Sequence, residues 1–123
     1  MIRETFNSTE GYLESNWTGD VSVQEIVAYI RRTKENRDYP RKLKILSNAL
    51  DASINLSIDD LKLISGENKE SLKNYDSITD AFVVQEAIVA ALSTMYMKIS
   101  QVRDYRFKIF STKQAAEHWL SVF

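Results

Sequence analysis

The sequence predicts an α/β fold: a mixed five-stranded sheet with helices packed on it, its elements in the order ββαβαβαβα. Three observations carry this expectation. Short segments of alternating apolar residues take turns with segments whose apolar residues recur every three or four positions. Two helical segments are preceded by capping-box patterns, Ser22-Val23-Gln24-Glu25 and Ser111-Thr112-Lys113-Gln114. The continuous apolar run Ala81-Phe82-Val83-Val84 has the composition of a strand buried on both faces.

The elements follow in order. Residues 1–6 read as a first strand, and the turn formers of Asn7-Ser8-Thr9-Glu10-Gly11 lead into a second over 12–17, an antiparallel hairpin. Thr18-Gly19-Asp20 is read as the end of that strand. The helix that follows places Val23, Ile26, Val27, Ile30 and Thr33 on one face. It fades in a cationic stretch that suits the negative end of a helix dipole, and Tyr39-Pro40 forbids its continuation. Residues 43–47 form a short apolar strand and 48–55 a loop. Ser57-Ile58-Asp59-Asp60 opens a second helix, with Leu61, Ile64, Leu72 and Tyr75 as its apolar stripe; Gly66 and Asn68 weaken its middle enough to suggest two shorter pieces. A strand over 78–85 precedes the clearest helix, 86–102, with Ile88, Leu92, Met95, Ile99 and Val102 on one side. A strand over 105–110 and a terminal helix, facing inward through Ala115, Ala116, Trp119, Leu120 and Phe123, complete the chain.

The 123 residues suit one domain, 1–123, and 44% hydrophobic residues suffice for a core. The absence of Cys excludes disulfides, Cys-ligated zinc, iron–sulfur clusters and thiol catalysis, and one His excludes a multi-His metal site in one chain. No metal or cofactor is expected. Gly stands only at 11, 19 and 66, which excludes a phosphate-binding glycine loop. A net charge of −1 disfavours a specific nucleic-acid binder. No apolar run approaches the roughly 20 residues of a membrane span, and the charged start Met1-Ile2-Arg3-Glu4-Thr5 lacks a signal peptide's apolar stretch. The expected compartment is the cytoplasm.

Several local strings carry a resemblance across essentially the whole chain: Trp17-Thr18-Gly19-Asp20-Val21, the break at Tyr39-Pro40-Arg41, Leu43-Lys44-Ile45-Leu46, Phe107-Lys108-Ile109-Phe110-Ser111-Thr112, Ala115-Ala116 and Trp119-Leu120. With the element order, they resemble the STAS domain, named for sulfate transporters and anti-sigma factor antagonists. More narrowly, the chain resembles the SpoIIAA-like (STAS/SEC14-type) group of small uncharacterised bacterial proteins. The resemblance implies a single STAS-like domain. In anti-sigma factor antagonists a Ser at the start of the second helix is phosphorylated, and Ser57 is the nearest position here, preceded by Asn55-Leu56 where that family has Asp. As a residue, Ser57 also reads simply as a helix N-cap.

Other candidates come from the residues themselves. The segment 31–44 carries a net charge of +5 against −6 for the rest of the chain. Its Arg31, Arg32, Arg37, Arg41 and Lys42 form a candidate anion patch or a solvated helix end. Ligands in open α/β sheets bind beyond the carboxyl ends of the strands, which marks Asp20, Asn48, Asp51 and Glu86 as a candidate ligand or partner surface. His118 is expected at a boundary or exposed beside an inward Trp119, and Met95 and Met97 cannot both face inward. Three functions follow. The first is a non-enzymatic regulatory module that docks a protein partner or a second copy of itself, which expects an exposed apolar patch. The second, which the SEC14 side of the resemblance implies, is a carrier or sensor of a small apolar or lipid-like ligand, and it expects a closed apolar cavity of roughly a few hundred Å³. The third is an enzyme using a pair of strand-end carboxylates, which expects the two to converge in a cleft.

Overall fold

The computed structural model describes residues Met1–Phe123. Five strands form one sheet in the sequential order β1 (Ile2–Asn7), β2 (Tyr12–Val21), β3 (Lys42–Ile54), β4 (Ser77–Val83), β5 (Tyr105–Phe110). The first pair is antiparallel and the other three are parallel. Helices α1 (Val23–Glu35), α2 (Ile58–Ser71) and α3 (Ala87–Ile99) make the successive crossovers, and α4 (Lys113–Leu120) follows the last strand. Right-handed crossovers between parallel strands added in one direction place every crossover helix on the same face. A helix after the last strand is not a crossover, so α4 is free to cover the opposite face, where it packs on β3, β4 and β5. No helix is long and apolar enough to cross a membrane.

Strand alternation divides the core accordingly. Leu13, Trp17, Leu43, Ile45, Ile78, Phe82 and Tyr105 face the three crossover helices, meeting Ile26, Tyr29, Ile30, Leu61, Ile64, Val89 and Tyr96. Tyr12, Leu46, Ala81 and Val83 face α4, meeting Ala116 and Leu120. The hairpin turn holds Gly11 at φ 77°, and the Asn7 carboxamide accepts from the Glu10 N–H at 3.0 Å.

The structure corrects several local expectations. β2 does not end at Thr18, and the segment 48–55 is not a loop: both strands run on as a parallel ribbon to Val21 and Ile54. The register explains why the pattern was broken. Asn16 faces Asn48, but Thr18 faces Asp51, so Ala49 and Leu50 together oppose Trp17. This β-bulge inserts one extra residue into β3 and inverts its alternation. Leu43, Ile45, Ser47 and Ala49 turn toward the crossover helices before it, and Ala52 and Ile54 turn the same way after it. α2 is one continuous helix, secured at its start by a full capping box between Ser57 and Asp60. In α3 the buried face is rotated from the expected one. Val89, Ser93 and Tyr96 are buried, whereas Ile88 is 67% and Met95 39% exposed. The buried stripe is partly polar, so hydrophobic periodicity selected the wrong side. In α4, Ala115 points outward and Phe123 is 47% exposed, resting against Trp119; His118 is exposed.

The small face under α4 depends on a few side chains, and Leu46 is fully buried at its centre. Leu46→Ala is expected to lower unfolding stability by about 2–5 kcal/mol, as for other core truncations that leave a void. Urea unfolding followed by far-UV circular dichroism measures it. A loss below roughly 1 kcal/mol would show that α4 contributes little to the core.

Candidate functional site

β4 runs Ser77-Ile78-Thr79-Asp80-Ala81-Phe82-Val83. Ile78 and Phe82 face the crossover helices, so Asp80, midway between them, faces the same way into the larger core. It stands opposite Ile45 on β3 and Phe107 on β5. A void of about 80 Å³ remains between the sheet and α1, α2 and α3, lined by 21 residues, 16 of them hydrophobic. Asp80 is the one charged residue among them. Its side chain lies deep in the fold, yet it is partly accessible, because it borders this void.

A line of hydrogen bonds crosses the sheet to reach it. Trp17 Nε1–H donates to Ser15 Oγ at 2.9 Å, Ser15 donates to Ser47 Oγ at 3.3 Å, and Ser47 donates to Asp80 Oδ1 at 2.8 Å. The indole nitrogen can only donate, and the two serine hydroxyls each donate onward toward Asp80. Both serines are buried and owe their alignment to register: Ser15 pairs with Ser47 across β2 and β3. Only Asp80 Oδ1 receives a protein donor; Oδ2 has none. Burial pushes the Asp80 carboxyl up to about 7, and the Ser47 hydrogen bond offsets only part of this.

The rest of the wall is mostly aliphatic, with six aromatic rings and a few hydroxyl and amide groups. Tyr96 and Tyr105 hydroxyls lie 2.9 Å apart, and the Asn68 amide donates to them at 2.7 and 3.3 Å. Burial raises both phenols, Tyr96 to about 12, and a charge on Asp80 would raise each further. Tyr29 Oη is buried near Ser15 without a hydrogen-bond partner, and burial likewise holds it protonated. These phenols are therefore neutral donors and acceptors.

The residues marked from sequence lie elsewhere. Asn48 and Asp51 are inside β3, not at its end, with Asp51 exposed. Asp20 is exposed near the end of β2, and Glu86 is the N-cap residue of α3 without a side-chain capping bond. None of the four lines the cavity that Asp80 borders. Ser57 Oγ accepts from the Asp60 N–H at 3.1 Å, the N-cap role. Within the basic segment, Arg31 pairs with Glu67, Arg32 with Glu4, and Arg41 donates to the carbonyls of Asn36, Tyr39 and Asn74. Arg37 and Lys42 are exposed. No group of three acidic, His or Cys side chains could hold a metal. The cavity also differs from expectation, being smaller than a few hundred Å³ and not sealed. Asp80 was missed from sequence because the apolar run beside it drew the reading. Its signal was present: a lone carboxylate at the alternating position between Ile78 and Phe82.

No protein-family model matches the chain, and no curated protein matches it in sequence. Among solved structures it is similar to an uncharacterised protein of the DUF3478 family with a SpoIIAA-like fold, from Shewanella loihica PV-4. The TM-score is 0.58 at 18% identity, over 98% of this chain and 92% of that one. The chain therefore has a SpoIIAA-like, STAS-like α/β fold, as its local strings implied.

The raised Asp80 carboxyl has a consequence for stability. The folded chain holds this proton more tightly than the unfolded chain, whose carboxyl titrates near 3.8. The stabilisation is complete below that value and is lost as pH rises through about 7. Asp80→Asn keeps the Ser47 hydrogen bond and never ionises. It is expected to match the parent at about pH 4 and to exceed it by roughly 2–4 kcal/mol at about pH 8 in denaturant unfolding. An equal difference at both pH values would show that Asp80 is not buried as a proton-holding group.

Proposed function

We propose that this protein binds a small, largely apolar molecule in the cavity between the sheet and α1–α3, as a carrier or sensor and not as a catalyst. The observation that carries the reading is a core-facing void that is apolar on most sides yet bordered by a carboxyl and a partnerless phenol. A core serving stability alone is close-packed, and an aliphatic side chain at position 80 would fill the space at lower cost than a carboxyl. A polar group retained on an apolar wall is the usual arrangement of a small-molecule site, where it fixes orientation. A void of about 80 Å³ exceeds the roughly 10–15 Å³ one water needs and suits a ligand of few heavy atoms. Catalysis has less support, since the cavity holds no second acid, imidazole or thiol.

A second reading, docking of a protein partner, draws on α3. Ile88 and Met95 are exposed two turns apart, with exposed Ala91 between them on the same helix face. The two readings are compatible, because the same helix lines the cavity through Val89, Ser93 and Tyr96.

Trp17 lines the cavity, whereas Trp119 packs with Phe110 and Phe123 by the opposite face of the sheet. Trp119→Phe thus leaves Trp17 as the only indole reporter. Its emission is expected to change saturably with at least one of 1-butanol, n-butylammonium and butyrate. Val89→Phe, which places a ring in the void, is expected to weaken that response at least about tenfold while changing stability by less than about 2 kcal/mol. No saturable response to any of the three would overturn the reading.

A further inference from the structure

We propose that the cavity is an organic-ammonium site: its occupant is a small alkyl- or arylamine bound as the cation, with its charged head at Asp80 and its apolar remainder among the aromatic rings. The inference rests on the ligand-binding reading above and names the ligand class.

Charge gives the first argument. Asp80 is the one charged group on the wall, and no Lys, Arg or His lines the cavity to neutralise it. No cation elsewhere in the chain acts on Asp80 either; what acts on it is burial and the Ser47 hydroxyl. A buried carboxylate without a counter-charge is costly, and a ligand cation removes that cost where a neutral or anionic ligand does not.

Hydrogen-bond direction gives the second. The line from Trp17 through Ser15 and Ser47 supplies a donor to Oδ1 only. Oδ2 still needs a donor, and Tyr29 Oη has lone pairs with no protein donor to meet them. An ammonium group carries only donors and suits the free carboxylate oxygen. A carboxylate ligand offers no donor and repels Asp80; an alcohol offers a single donor.

The third argument is the wall itself. Trp17, Tyr29, Phe82, Phe107, Tyr96 and Tyr105 all border the cavity, and neighbouring ring centroids lie 4.8 to 6.4 Å apart. Aromatic faces carry negative potential and attract ammonium ions, most strongly where water is excluded.

Titration follows from the same geometry. The groups facing Asp80 are Ser47 from β3, Tyr29 from α1, Tyr96 from α3 and Tyr105 from β5; α2 contributes the uncharged Asn68. Of these only Asp80 changes charge near neutrality, so amine binding strengthens as pH rises through about 7.

The test compares n-butylammonium, 1-butanol and butyrate, titrated by calorimetry into the native protein. At about pH 8 the ammonium ion is expected to bind at least about thirtyfold tighter than the alcohol, the scale of a buried charge pair. That advantage should shrink severalfold at about pH 5.5, where Asp80 is protonated. Asp80→Asn should abolish the advantage and leave 1-butanol within about threefold of its original affinity. Equal binding of alcohol and ammonium, or an ammonium affinity independent of pH, would overturn the proposal while leaving the ligand-binding reading intact. The pH profile of the native protein decides this even if the variant does not fold. Binding of none of the three would overturn both.

Discussion

A carboxyl group at the middle of a central strand, aimed into the larger of two cores, is the constraint that the rest of this structure accommodates. Asp80 is flanked along β4 by Ile78 and Phe82 and across the sheet by Ile45 and Phe107. Such a position tolerates a polar group only where hydrogen bonds and space are provided. Ser47 provides the bond, Ser15 and Trp17 orient Ser47, and the void provides the space. Three strands contribute to one polar line, so the site is tied to the strand register and not to a loop. A one-residue slip of β3 against β2 would turn Ser47 to the other face and leave Asp80 without a donor.

The sheet separates two tasks. Its face toward α4 is closed by Ala81, Val83, Leu46, Ala116 and Leu120, with the rings of Tyr12, Phe110 and Trp119. Its face toward the crossover helices carries the six rings of the cavity wall, the serine line and the carboxyl. The topology makes this division possible, because three crossover helices on one side form a layer deep enough to enclose a cavity. A single eight-residue helix on the other side forms only a lid. The helix α3 belongs to both the cavity and the surface. Its inward stripe of Val89, Ser93 and Tyr96 lines the site, and its outward stripe of Ile88 and Met95 meets solvent.

The basic segment illustrates how composition can mislead about a site. Its net charge of +5 is a property of residues 31–44 in isolation. In the fold, Glu67 and Glu4 come from distant parts of the chain to meet Arg31 and Arg32, and Arg41 closes the α1–β3 connection by bonding three carbonyl oxygens. Arg41 also lies 4.2 Å from the centre of the Tyr75 ring, and Tyr75 Oη donates to the Thr33 carbonyl at 2.6 Å. Much of the positive charge therefore joins elements together.

The order and kind of every element were legible in the sequence, because hydrophobic period, capping residues and turn formers act locally. Ser22 and Ser57 cap their helices through bonds to backbone three residues on, whereas the last helix is capped by Thr112, one residue after the Ser111 that the sequence marks. Local signals failed where a residue's environment is made by distant chain. The bulge at Ala49 and Leu50 inverts the alternation of β3, and only pairing with β2 rescues the segment as strand. The buried side of α3 is partly polar because it faces a polar-bordered cavity, which periodicity cannot foresee. The site was half legible: Asp80 stood out of its strand in sequence, but nothing local links it to Ser47, Ser15 and Trp17, or to the phenols of three other elements. The sequence by itself determined the class of fold and the order of its elements. Only the tertiary structure decided that a carboxyl held by a line of three hydrogen-bonding side chains borders a cavity with six aromatic rings, because register and helix packing, not sequence proximity, bring them together.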